Sequence, residues 1–146
     1  MSEAETHREW GKRANQRVWS LIGDGAPDDE GARREAVDAA HASLWHWQHA
    51  GGPLERQRGE WLVSHVYALV GDGASALRHA QRCWDITEAE GLTDFDYAYG
   101  CEGLARAYAV GGDAANASEW RARATAAGAR IADTEDRAIF EADLKG

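Results

Sequence analysis

Residues 61–83 read WLVSHVYALVGDGASALRHAQRC, and residues 102–124 read EGLARAYAVGGDAANASEWRARA. Laid on each other at an offset of 41 they share seven identities: Tyr67/Tyr108, Ala68/Ala109, Gly71/Gly112, Asp72/Asp113, Ala74/Ala115, Ala76/Ala117 and Arg82/Arg123. In both segments an aromatic residue is followed four positions later by Gly, five later by Asp, and then by small residues at helical spacing. Two antiparallel helices need that order. A bulky residue sits near the end of the first, a glycine reverses the chain, and a small residue lies where the second crosses closely. Recurrence at a fixed period marks a stacked helical array.

Upstream, Trp19 followed by Gly23 repeats the Tyr67/Gly71 spacing, so a first helix over Glu3–Ile22 begins a third, degenerate copy. Its apolar stripe is Trp10, Ala14, Val18, Leu21 and Ile22. An acidic connection through Asp28, Asp29 and Glu30 leads to a second helix ending near Gln48, with Ala36, Ala40, Ser43, Leu44 and Trp47 inward. Gly51-Gly52-Pro53 stops that helix and opens the next. Gly91 ends the fourth helix, Thr93 or Asp94 caps the fifth, and Asp113 caps the sixth. The expected architecture is all-α: one domain over 1–146, with hairpins at about 5–50, 54–90 and 94–127. A terminal helix at about 134–144 covers the exposed end of the stack.

Composition agrees with this reading. Only two prolines occur, both in glycine-containing breaks, while alanine and charged residues fill the stretches between. The 25 acidic residues outnumber the 16 Lys and Arg, giving a net charge of −9 that repels nucleic acid and anionic membrane. Two cysteines, Cys83 and Cys101, form no CxxC pair, and the polar, acidic N-terminus has no basic region followed by an apolar run. These features predict a cytoplasmic protein with reduced thiols, packed as small hydrophobes. Seven tryptophans are a surplus for this length, and they mark core, binding surface or a self-association face that would make a homodimer.

The spacing of Tyr67, Gly71, Ala76, Ala80 and Cys83, and again of Tyr108, Gly112, Ala117, Arg121 and Ala124, resembles the tetratricopeptide repeat. The chain departs from it in its period of 41 against ~34 residues in the standard repeat, and in Arg121 at a packing position. The resemblance implies a superhelix whose concave groove is lined by the first helix of each repeat. Taking Trp19, Tyr67 and Tyr108 as one repeat position, the groove positions nine, six and two residues upstream become Trp10, Arg13 and Arg17, then Arg58, Trp61 and His65, then Tyr99, Glu102 and Arg106. A chain of net charge −9 thereby turns four arginines, a histidine and three aromatics toward one surface. Guanidinium forks suit carboxylate or phosphate, and the aromatics supply apolar area. The expected function is recognition of an acidic or carboxylate-bearing protein or peptide segment in that groove. The alternative is a sensor-like or enzyme-like pocket for a small anionic ligand. Against both stands the reading that the arginines pair with Glu60, Glu102 and other neighbours on a solvated face.

Other constellations carry less. His41, Trp45 and His49 share a helical face, and His46 and His49, three apart, are able to reach one metal ion, but a metal site needs ligands from a further segment. His65 beside Glu60 and Glu102 is chemically capable of proton transfer, yet no nucleophile elbow or phosphate-cradling loop accompanies it. The sequence therefore predicts no catalytic activity, no metal and no cofactor.

Overall fold

The computed structural model describes residues 1–146 as seven helices and no strand: α1 (Glu3–Ile22), α2 (Glu30–Ala50), α3 (Pro53–Leu69), α4 (Gly73–Ala89), α5 (Asp94–Val110), α6 (Ala114–Ala129) and α7 (Thr134–Lys145). The all-α expectation is met, with helix ends within about two residues of those the sequence suggests.

The ends are chemically marked. Asp29, Asp72, Asp113 and Asp133 each accept a backbone N–H three residues on, from Ala32, Ser75, Asn116 and Asp136. Ser2 and Glu5 form a reciprocal capping box, and Pro53 occupies the first position of α3. Each side-chain cap stabilises its helix by about 1 kcal/mol. Thr93 holds the cap position of α5 but its side chain makes no cap bond. The neighbouring Asp94 carboxylate instead accepts from the Ala132 N–H, tying the α6–α7 connection to the start of α5.

The two repeats turn identically. Gly71 and Gly112 adopt φ of 85° and 82°, and the next residues, Asp72 and Asp113, donate N–H back to Tyr67 and Tyr108 carbonyls at 2.9 Å. This is the left-handed glycine stop of a helix, and L side chains pay for that φ where glycine does not. The first hairpin departs from expectation here. Gly23 is right-handed at φ −55°, and the left-handed glycine is Gly25 at φ 101°. The first copy is therefore shifted by two residues from the register that Trp19 and Gly23 suggest.

Consecutive helices pack antiparallel. Ser43 Oγ donates to the Gly11 carbonyl across α1 and α2, and Ser64 Oγ to the Ala76 carbonyl across α3 and α4. Gly11, not Trp10, is the buried position in this part of α1, because a β-carbon there would already sit 3.0 Å from the Trp47 ring. Trp10 lies on the surface, half exposed. Two apolar clusters form the core: Val18, Ile22, Ala40, Leu44, Leu62 and Val66 among others in one, and Trp84, Tyr99, Leu104, Ile131 and Phe140 among others in the second. Trp61 and Tyr67 pack against both clusters, so α3 joins the halves. α3 and α5 also lie side by side, and α7 crosses α5 with Phe140 edge-on to Tyr99 at 4.8 Å.

Candidate functional site

Where α1, α3, α5 and α7 meet, a cleft of about 270 Å3 opens between Asn15, Trp19, Gln57, Arg58, Trp61, Leu62, Phe95, Asp96, Tyr99 and Asp143. Helical periodicity builds it. Arg58, Trp61 and Leu62 project from one side of α3, and Phe95, Asp96 and Tyr99 from the first turns of α5. Its walls are aromatic: the Trp19 and Trp61 rings lie near-parallel at 6.3 Å, Tyr99 is edge-on to Trp61 at 5.2 Å, and Phe95 is 4.7 Å from Tyr99.

The arginines are less free than their number suggests. Arg58 Nε donates to Asp96 Oδ1 at 3.0 Å, Arg13 Nε to Glu9 at 3.0 Å, and Arg106 Nε to Glu102 Oε2 at 2.7 Å. Arg17 forms a bidentate pair with Glu35 of α2. That contact raises the Arg17 pKa and lowers that of Glu35. Of the nine residues read from the sequence as one groove, the structure gathers Arg58, Trp61 and Tyr99 around the cleft. Glu102 and Arg106 line a second depression of about 370 Å3 with Arg121, Leu144 and Gly146. His65 lies stacked beneath Trp61 at 4.8 Å and also contacts Trp19.

Trp10, Arg13 and Arg17 are not among the residues that line this cleft. Aligned on the left-handed glycines, the repeat position of the first copy falls on Leu21, and the positions nine, six and two residues upstream become Lys12, Asn15 and Trp19, of which Asn15 and Trp19 line the cleft. Trp10 and Arg13 instead stack on each other at 5.0 Å on the outer surface.

Burial sets the protonation of the residues beneath. Glu102 is 2% exposed. It accepts the Trp61 indole N–H at 2.9 Å as well as Arg106, and burial raises its pKa, with Arg106 opposing. Burial, helped by Arg106, lowers the His65 pKa to about 4, so this imidazole is neutral at pH 7. Its Nδ1 has no hydrogen-bond partner. The Tyr99 hydroxyl donates to the Asp143 carboxylate, and burial raises its pKa first, that bond second. These contacts hold the end of α7 over the cleft.

The histidine run divides. His41 meets the Tyr67 hydroxyl at 2.8 Å and stands edge-on to His79, whose Nδ1 lies 2.7 Å from the buried Glu60. His46 and His49 gather instead with His7, whose Nδ1 is 2.9 Å from that of His46. No three His, Cys, Asp or Glu side chains present a metal-binding set. Glu60 is engaged with His79 rather than His65, so the proposed carboxylate–histidine grouping does not assemble. Both cysteines are free and buried, and burial raises their thiol pKa values, that of Cys101 to about 11. Thiolate chemistry is thereby suppressed.

Asn15, Trp19, Gln57, Leu62, Phe95, Asp96 and Asp143 line the cleft without being among the groove positions expected from the sequence. The turn register would have found Asn15, and Phe95 and Asp96 precede Tyr99 by one helical turn, a spacing open to view. Asp143 had no signal, since only the fold brings α7 over α5. No helix is long and apolar enough to cross a membrane. Comparison with protein-family models, curated proteins and solved structures gives no match.

Proposed function

We propose that this chain is a non-catalytic recognition module, a short α-α superhelix of the tetratricopeptide-like kind, which receives a carboxylate-bearing segment of a partner protein in the aromatic cleft. The repeated Gly-Asp turns and the side-by-side placement of α3 and α5 support the arrangement. The observation that carries the functional reading is a single arginine, Arg58, more than half exposed at the rim of four aromatic rings. Asp96 engages Nε and one terminal nitrogen, leaving the other face of the guanidinium fork for a ligand carboxylate. A volume near 270 Å3 falls below the ~300–1,000 Å3 of sites that enclose a whole small molecule, and suits one anchoring side chain or chain end. Unpaired, buried Cys83 and Cys101 accord with a reducing cytoplasmic setting.

A second reading, a small free carboxylic acid in the same cleft, draws support from α7, which closes one side through Asp143. An array of immobilised peptides with free or amidated C-termini tests the proposal. Retention of free-carboxylate peptides by the wild type, lost by Arg58→Ala, is expected. Equal retention of amidated peptides would overturn it.

A further inference from the structure

The walls of the cleft are richer in acceptors than its arginine suggests. Asp96 already answers Arg58, which leaves Asp143 as a second carboxylate at the same opening. One Asp143 oxygen receives the Tyr99 hydroxyl, but no cation pairs with the carboxylate. Arg106, the nearby guanidinium, donates to the Asp143 backbone carbonyl at 3.1 Å and to Glu102. Gln57 adds a further acceptor. It is 1% exposed and spends both hydrogens of Nε2, on Thr87 Oγ1 at 3.1 Å and the Asp96 carbonyl at 2.9 Å. Thr87 donates its own hydrogen to the Cys83 carbonyl, so this orientation of the amide is fixed. Gln57 therefore has only its carbonyl oxygen left for a ligand.

Resting on the reading above, we infer that the occupant carries an ammonium group as well as a carboxylate, as a partner chain ending in lysine does. The carboxylate pairs with the open side of Arg58. The four-carbon stem lies along Trp19 and Trp61, and the ε-ammonium, with three donors, reaches toward Asp143 and the ring faces. An unpaired carboxylate beside aromatic rings attracts a cation, and a wholly anionic ligand would meet Asp96 and Asp143 unfavourably. Each charge of such a chain end finds its opposite in the cleft.

Three six-carbon probes separate the parts: hexanoate, hexylamine and 6-aminohexanoate, titrated calorimetrically into the full chain and into Asp143→Asn, with melting curves to establish that the variant is folded. The expected result is 6-aminohexanoate binding at least ~10-fold more tightly than hexanoate to the wild type, with the gap closing in Asp143→Asn. Hexanoate binding as tightly as 6-aminohexanoate would overturn the ammonium inference and leave carboxylate recognition standing. Hexylamine equalling 6-aminohexanoate would overturn the carboxylate reading itself, and so would the absence of binding by all three. The wild-type comparison decides the matter even if Asp143→Asn unfolds.

Discussion

Trp61 and Glu102 occupy the same place in successive repeats, 41 residues apart, and they are bonded to each other through the indole N–H at 2.9 Å. One copy supplies a ring to the cleft, and the next supplies the buried acceptor that fixes the ring's orientation. Repetition here does not duplicate a surface; it divides a job between two copies.

Glu102→Ala should destabilise the protein by about 3 kcal/mol, because it leaves the Trp61 N–H and the Arg106 guanidinium without their buried acceptor. Glu102→Gln keeps an acceptor for one of the two donors but turns its NH2 toward the other and removes the charge opposite Arg106, and should cost less, about 1–2 kcal/mol. Urea unfolding of both variants measures the difference.

His65 gives the protein a sloped stability profile. Its folded pKa of about 4 lies below the ordinary 6.5. Between these values the unfolded chain holds the extra proton and the folded chain does not. Stability should therefore fall as pH drops from 6.5 toward 4, by up to about 1.4 kcal/mol per unit from this residue, and be untouched by it above that window. Subtracting the profile of His65→Phe isolates the contribution, since the opposing shift at Glu102 is common to both proteins.

Gly128→Ala should loosen α7. The new β-carbon would lie 2.5 Å from the ring of the fully buried Phe140, so the ring or its helix must shift. The expected cost is about 1–3 kcal/mol, with faster amide exchange in 134–145 and weaker ligand binding, because Asp143 leaves the cleft with its helix.

Arg58→Ala should reduce affinity for free-carboxylate peptides by ~10-fold or more while changing stability by less than about 1 kcal/mol, the range of an exposed ion pair. Arg13→Ala and Arg17→Ala should leave binding unaltered, since both arginines face away from the cleft. Fluorescence anisotropy of a labelled peptide reads all three.

Much of this fold is legible in the sequence, and for a local reason. Aspartate caps, left-handed glycines and the aromatic before each turn act within a few residues, so α3 to α6 follow from the sequence alone. At the first hairpin Gly23-Asp24-Gly25 reads the same as Gly71-Asp72-Gly73, but there the second glycine, not the first, takes the left-handed turn, a difference that only backbone torsion shows. Charge was less legible: Glu102, four residues before Arg106 on α5, is open to view as its partner, but Asp96 and Glu35, the partners of Arg58 and Arg17, lie on other helices. Pairing across helices has no one-dimensional signature.

The cleft itself is tested most directly by the indole N–H resonances of 15N-labelled protein titrated with hexanoate, the simplest carboxylate probe. The signals of Trp19 and Trp61 should move together and saturate, while those of Trp10 and Trp45, on the outer surface, stay fixed. Movement centred on Trp10 and Trp45, or no movement at all, would contradict a binding site between α1, α3, α5 and α7.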